Sequence, residues 1–359
     1  MNTTLSSPKS EPFTLEAKIK AEAFDLGFVA VGFSSIVLTG GLQKYSEWLE
    51  QGHHGSMGFL ASSQALEARA DPRLLLPSCR TVISLLSNYA PPSDLQVPEG
   101  KGRIAAYALQ RDYHDLLSER LHQLAARITH LAEDVQSYAG VDSSPILEKG
   151  YAHKAGLGWI GKNSLLLHPQ FGSWTFLSEL LVSLELEPDP ASEFDGCGTC
   201  QCCIRACPTQ AILPNRTIDA RRCLSYLTIE NRGSIPAEFR SAVGNRVFGC
   251  DQCQVVCPVN KKAPKTTPQT LIEECPDLME NFTLSAEEFR QRYRKTPVWR
   301  AKYGGFRRNL AIALGNSGQK ELISPLQNAL EKEENQIVAE AIRWALEELG
   351  SPSQNDVFS

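Results

Sequence analysis

Nine of the eleven cysteines in this 359-residue chain lie in one short segment, between Cys197 and Cys257. In a reducing compartment such clustering favours metal ligation over disulfide bonding. The segment therefore constrains the fold more than any other feature, because its cysteines must converge on metal. The metal must then either supply electrons to the rest of the chain or stabilise its fold.

The spacing of these cysteines is typical of a two-cluster ferredoxin. One group has the form C-x2-C-x2-C-x3-C-P and ends at Pro208, and the other has the form C-x2-C-x3-C-P and ends at Pro258. In such runs the fourth cysteine ligates the other cluster. When the ligands of the two groups are shared between two clusters in this way, one cluster has only three cysteines. Cys223 supplies the fourth. The predicted sets are Cys197, Cys200, Cys203 and Cys257 for one [4Fe–4S] cluster, and Cys207, Cys223, Cys250 and Cys253 for the other.

A pair of zinc sites is the alternative for the same cysteines. The proline after each group and the interleaved ligand count fit clusters better. Cys202 is then a spare, and Cys79 and Cys275 are expected to be small buried residues. Clusters that relay single electrons need a site that uses them, and the long segment before the cysteines is the candidate.

Hydrophobic periodicity predicts a mixed α/β part before the cysteines and a helical part after them. Helices are predicted at 15–26 and 113–135, strands at 28–33 and 81–87, and a strand or buried helix at 174–186. Three short amphipathic helices at 305–316, 320–330 and 335–349 resemble a fragment of HEAT repeat. Pro-containing segments place the domain boundaries. The predicted domains are 1–187, 188–270 and 271–359.

The segment AGLGWIGKNS (155–164) has the glycine spacing of a dinucleotide-binding loop and nearly that of a phosphate-binding loop. Neither has its usual context, because no hydrophobic strand precedes it and Asn163 stands where a hydroxyl residue is needed. We therefore prefer a glycine-rich turn that lines some other ligand.

Two polar residues near the ends of the long predicted helix are better explained by structural roles than by catalytic or cofactor-binding ones. His114 resembles the histidine of a D-x-H-x-x-G cobalamin motif, but the glycine is missing and a surface or packing role is favoured. Asp142, in VDSSP, is favoured as a helix cap. If Asp142 were instead buried beside a cofactor, its pKa would rise and it could donate a proton.

A basic segment without acidic residues runs from Arg290 to Arg308, in a chain of net charge −5. Aromatic residues are interleaved with the cations, which suits a nucleic-acid backbone and its bases. A solvated helix face explains the pattern equally well. The candidate contacts are Arg292, Arg294, Lys295, Arg300, Lys302, Arg307 and Arg308.

In order and spacing, these segments together resemble the epoxyqueuosine reductases over nearly the whole chain. The resemblance rests on HGSMGFL (54–60), RADPRLLLP (69–77), RDYHDLL (111–117), AGLGWIGKNS (155–164), both cysteine groups, RCLSYLTIE (222–230), GNRVFGCDQCQVVCPVN (244–260) and RRNLAIALGN (307–316).

The resemblance implies an α+β multidomain protein. Its parts would be a mixed α/β cobalamin-binding domain related to reductive dehalogenases, a ferredoxin-like two-cluster module and a C-terminal HEAT-like helical repeat. It implies reduction of epoxyqueuosine to queuosine at the wobble position of tRNA, with electrons from the clusters and a proton from Asp142. The implied partners are a tRNA anticodon stem-loop and an external electron donor. The implied cobalamin contacts are Arg69, Asp142, Lys162, Asn163, Ser164, Ser225 and Leu227.

Two other functions stay open. A small-molecule reductase of the dehalogenase type would keep the clusters and the corrin but would not need the basic segment. A pure electron carrier would leave about 190 N-terminal residues without a purpose. Because no secretory or membrane-spanning apolar run is seen, we expect a cytoplasmic protein without membrane contact. We also expect a monomer.

Overall fold

The computed structural model describes residues 14–38, 40–91, 97–266 and 272–350. The predicted domain boundary after residue 270 lies outside these ranges. The strands are β1 Ala30–Ser35, β2 Thr81–Asn88, β3 Arg103–Ile104, β4 Ser137–Gly140, β5 Trp159–Ile160, β6 Leu166–Leu167, β7 Thr175–Val182 and β8 Arg246–Phe248. The α-helices are α1 Leu15–Asp25, α2 Gly41–Glu50, α3 Ser63–Ala70, α4 Tyr113–Leu131, α5 Glu148–Lys154, α6 Cys202–Ala206, α7 Leu224–Ile229, α8 Ala237–Val243, α9 Gln252–Val255, α10 Leu278–Thr283, α11 Ala286–Tyr293, α12 Lys302–Gly315, α13 Ile323–Glu331 and α14 Gln336–Gly350.

The main sheet has four antiparallel strands in the order β1-β2-β7-β4. Alternate residues of each strand face opposite sides, so a strand buried on both faces reads as a continuous apolar run. In β7, Leu180 packs with α1 and α4, whereas Leu181 packs with α5 on the other face. The segment that sequence left ambiguous is therefore a strand, and the other predicted strands and the two predicted helices before residue 136 are confirmed.

The C-terminal helices do not form a separate core. Residues of α12 and α14, including Leu310 and Ile342, share one hydrophobic cluster with Leu224, Leu227 and Phe248 of the cysteine segment. Each such fully buried side chain contributes roughly 2 kcal/mol. The three predicted helices beyond residue 300 are confirmed, and they are fixed against the part of the chain that carries the cysteines.

The parts of the chain that the structure describes contain no helix both long and apolar enough to cross a bilayer.

Candidate active site and cluster sites

A cavity of about 1270 Å³ opens between the sheet-containing part and the helical part. It exceeds the usual volume of a small-molecule pocket, which is roughly 300–1000 Å³. Phe59 and Leu74 line it and are 56% and 62% exposed, unusual values for large apolar side chains. Asp142 and Arg300 supply opposite charges to its wall. The space therefore suits a large ligand with both apolar and charged groups.

Asp142 lies on the wall of this cavity, in the loop between β4 and α5. Its carboxylate Oδ2 accepts hydrogen bonds from Tyr113 Oη at 3.0 Å and from His114 Nε2 at 3.2 Å. Helix α5 has Leu147 at its N-cap and no side-chain cap. The predicted capping role of Asp142 is therefore wrong, because the side chain turns away from the helix and towards the cavity.

His114 is held between two carboxylates. Asp112 caps α4 by accepting from the His114 amide at 3.1 Å, and its Oδ1 lies 2.7 Å from His114 Nδ1. Desolvation lowers the pKa of His114, but its hydrogen bonds to Asp112 and Asp142 outweigh this and raise the pKa to about 9. The imidazole is therefore protonated at neutral pH. Sequence reasoning missed this role, although the D-x-H spacing at a helix start was the signal for it.

The pKa of Asp142 moves opposite to the sequence-based expectation. Desolvation raises it, but donation from His114, the positive charge of that ring and donation from Tyr113 together hold the pKa below its usual value. The pair therefore keeps its proton on the imidazole. A proton delivered through Asp142 would then come from His114, 3.2 Å away.

The glycine-rich segment contacts the first cysteine set. Trp159 Nε1 donates to Cys197 Sγ at 3.4 Å, and Lys162 Nζ donates to the carbonyls of Gly198 and Cys200 at 2.7 and 2.9 Å. A Cβ at Gly158, where φ is 148°, would lie 2.1 Å from the Leu167 carbonyl oxygen. The glycines thus permit a tight β5–β6 turn that lines a cluster site, as the preferred interpretation expected.

The structure brings the predicted cysteine sets together. Cys197 and Cys257 pack against Trp159 in one hydrophobic cluster. Burial raises the pKa of the Cys203 thiol, and the nearby Cys197 and Cys257 raise it further. The second set lines a small cavity; its members are Cys207, Cys223, Cys250 and Cys253. In the described ranges, no three His, Cys, Asp or Glu side chains converge as a single metal ion requires.

Helix α7 connects the second cysteine set to the large cavity. Cys223 is its N-cap residue, and Ile229 and Glu230 at its other end line the cavity. Six residues at 1.5 Å each give a separation of about 9 Å along the helix axis. The second set is therefore next to the cavity wall.

Of the predicted cobalamin contacts, only Arg69 and Asp142 line the cavity. Lys162 contacts the first cysteine set instead, and the Ser164 carbonyl accepts from Lys149 Nζ at 2.8 Å. The other predicted contacts do not line the cavity either. Asn163 and Leu227 are buried, and Ser225, on α7, is half-buried.

The predicted basic contacts divide by exposure. Arg300 and Lys302 line the cavity and are exposed, as are Arg292, Arg294 and Lys295. Arg307 is half-buried in an ion pair with Glu333. Arg308 is 1% exposed, and its guanidinium donates to the carbonyls of Leu227 at 2.6 Å and Asn231 at 2.8 Å. Arg308 is removed from the set, because a buried guanidinium cannot reach an external phosphate.

Comparison with known proteins agrees with this geometry. A family model described as epoxyqueuosine reductase QueG, DUF1730, matches residues 69–143, and one described as a 4Fe-4S double cluster binding domain matches residues 196–260. A curated epoxyqueuosine reductase from Pseudomonas aeruginosa is 42% identical over 356 residues, covering 96% of this chain and 97% of the relative. This chain belongs to the epoxyqueuosine reductase family. Both cysteine sets fall within the double-cluster match.

Solved epoxyqueuosine reductases share the fold. The Bacillus subtilis enzyme, solved with its catalytic aspartate loop swung out of the active site, is 27% identical with a TM-score of 0.85, and the match covers 95% of this chain and 92% of that one. Another, solved with an epoxyqueuosine-modified tRNA-Tyr stem loop, is 27% identical with a TM-score of 0.81, covering 94% and 99%. A reductive dehalogenase matches only with a TM-score of 0.42, so the predicted relation to that family stays a prediction.

Proposed function

We propose that this epoxyqueuosine reductase reduces epoxyqueuosine in tRNA to queuosine at a corrin bound in the large cavity, with Asp142 delivering a proton. The observation that carries the proposal is the Asp142–His114 pair on the cavity wall, 3.2 Å apart and supported by Tyr113. The loop of residues 141–147, which carries Asp142, is taken as the counterpart of the aspartate loop in the Bacillus subtilis enzyme.

The cavity fits a corrin in size and in surface. Its exposed Phe59 and Leu74 would be covered by a flat macrocycle, and Arg69 and Asp142 would contact polar groups at its edge. Both ring nitrogens of His114 are engaged by carboxylates, so this histidine is not offered as a metal ligand. When bound, the clusters and the corrin supply single electrons and a strongly reducing metal centre.

The chain's own residues manage the protons. His114 holds a proton at Nε2, and Asp142 Oδ2 accepts a hydrogen bond from it. As the epoxide C–O bond breaks, the proton of His114 Nε2 moves through Asp142 Oδ2 to the departing oxygen, and Asp142 is left ionised again. Solvent supplies the second proton and reprotonates His114. Two electrons and two protons convert the epoxide to an alkene and water.

The rim of the cavity suits an anticodon loop. Lys302 lies over the Trp299 ring, 5.3 Å from its centroid, and both residues line the cavity. Exposed Arg294 and Lys295 extend the positive surface along the same segment. Unstacked loop bases favour aromatic and cationic contacts of this kind. We therefore place the tRNA stem loop across this face, with the modified base directed at Asp142.

Several finer expectations remain part of this proposal. The helices α12, α13 and α14 would be a HEAT-like unit that adds tRNA affinity. The predicted boundary after residue 187 would separate two domains, and the predicted boundary after residue 270 would separate two segments that share one core. An external donor would reduce the clusters. The protein would act as a cytoplasmic monomer.

The experiment is anaerobic reconstitution with iron, sulfide and cobalamin, followed by reductant and tRNA that carries epoxyqueuosine. Conversion that depends on cobalamin supports the proposal. Corrin uptake without conversion would favour a small-molecule reductase, and cluster loading without corrin uptake would favour an electron carrier.

A further inference from the structure

Glu179 is a buried acid that the proposed chemistry does not use. It lies in the middle of β7, is 0% exposed, and neither carboxylate oxygen meets a hydrogen-bond donor among the described residues. An ionised carboxylate in such a place would cost several kcal/mol. The side chain must therefore be neutral or share a proton with a neighbour.

Glu148, the first residue of α5, is that neighbour. Burial and the nearby Glu148 raise the pKa of Glu179, and burial and the charge of Asp142 raise the pKa of Glu148. Lys149 partly offsets the rise at Glu148. Two carboxyl groups that cannot both ionise retain a proton between them. A protonated Glu179 can then donate to Glu148.

Glu148 in turn holds the loop of Asp142. Its Oε1 accepts from the Asp142 amide at 2.6 Å. Asp142 has a φ of 47°, a left-handed conformation that costs a non-glycine residue free energy and persists only when its surroundings fix it. Strand register places Glu179 opposite Gly140, where β4 ends and the loop begins. The acid pair thus lies directly behind the loop.

We infer that Glu148 and Glu179 are positioning residues, in which the Glu179 carboxylic acid holds Glu148 and Glu148 holds the Asp142 amide so that the aspartate faces the cavity. This inference rests on the proposed function of Asp142. It assigns a task to a pair of acids, the buried Glu179 and the half-buried Glu148, that touches neither substrate nor cofactor. Asp142 would reach the cavity less often without it.

Hydrogen–deuterium exchange on the cluster-loaded protein tests the contact directly. Glu148→Ala should speed exchange at the Asp142 amide at least tenfold, and Glu148→Gln should stay near wild type because its amide oxygen still accepts. Glu185→Ala, which removes an exposed carboxylate at the end of the same sheet, is the matched control. Equal exchange in Glu148→Ala and Glu185→Ala would overturn the inference.

Kinetics separate positioning from folding and from binding. Glu148→Ala and Glu179→Leu should lower kcat by about 10- to 100-fold, since misplacing a catalytic group by 1 Å can cost 100-fold. The Kd for tRNA should stay within twofold, and Glu179→Gln, which can still donate to Glu148, should restore most of kcat. A loss of kcat without faster exchange would contradict a positioning role. If Asp142→Asn stays active, the proposed function fails instead.

Discussion

His114 Nε2 lies 3.2 Å from Asp142 Oδ2, while the Nδ1 of the same ring lies 2.7 Å from Asp112 Oδ1. Two carboxylates on one imidazole keep it protonated and leave Asp142 ionised at rest. The acid of the proposed reaction is therefore the pair, with the proton stored on the histidine and delivered through the aspartate. A carboxyl group isolated in an apolar pocket would store the proton itself.

Replacing His114 by Asn should lower kcat about 100-fold, because general acid catalysis contributes factors of about 10² to 10⁴. His122→Asn, on the exposed face of the same helix, is the matched control and should be silent. Single-turnover rates with saturating tRNA would measure both. Full activity of His114→Asn would show that the proton does not come from this ring.

The same histidine sets a pH dependence. Its folded pKa of about 9 lies above its ordinary 6.5, so its contribution to stability is complete below 6.5 and is lost as pH rises through about 9. The turnover rate should fall over the same upper range. In His114→Asn, both the alkaline loss of Tm and the alkaline fall in rate should flatten. An unchanged profile in that variant would assign the titration to another group.

Cys223 and Cys202 should differ although both lie near the clusters. Cys223→Ser should reduce the iron content from about eight to about four per chain, because each [4Fe–4S] cluster needs its full cysteine set. Cys202→Ser should retain both clusters, since this thiol is the exposed spare. Iron and sulfide analysis with electron paramagnetic resonance would separate the two. Loss of a cluster in Cys202→Ser alone would reverse the assignment.

Lys162 should act on a cluster and not on the corrin. Its ammonium group contacts the carbonyls of Gly198 and Cys200, so Lys162→Met should shift the potential of that cluster in the negative direction, on the order of tens of millivolts. Corrin affinity should stay the same. Redox titration and corrin absorbance measure the two effects. Weaker corrin binding with an unchanged cluster potential would instead support Lys162 as a cobalamin contact, as the resemblance implied.

Arg308 and Arg294 should separate stability from tRNA binding. Arg308→Ala leaves buried carbonyls without a donor and should cost about 3 kcal/mol or more of unfolding free energy. Arg294→Ala should leave Tm unchanged and weaken tRNA binding, with a salt dependence reduced by about one counterion. Thermal melts and binding isotherms at several salt concentrations would test this. The reverse pattern would contradict the assignment.

Sequence was sufficient where the signal is local. Cysteine spacing predicted two sets of four cysteines, and the four members of the second set line one small cavity. Periodicity predicted β1, β2 and β7 of the main sheet and the helices α1, α4, α12, α13 and α14. Prediction from the sequence failed for contacts between segments that are distant in the chain. Asp142 was expected to cap a helix, because nothing local reveals that Tyr113 and His114 approach it from α4.

Burial was equally hidden from the sequence. Arg308 and Arg307 look like members of one basic surface, yet Arg308 faces a core that joins α12 to α7. Lys162 lies in a segment that nearly matches a phosphate-binding loop, but the chain folds its side chain onto a cysteine group. In each case a tertiary contact decides what a charged side chain can reach.

The most direct test is the mass of the modified nucleoside after reaction of reconstituted wild-type protein and of Asp142→Asn with tRNA that carries epoxyqueuosine. Wild-type protein should yield a nucleoside lighter by one oxygen atom, only with cobalamin present. Asp142→Asn should load the same clusters and corrin and leave the nucleoside unchanged. Conversion by Asp142→Asn at the wild-type rate, or none by the loaded wild-type protein, would contradict the proposed function.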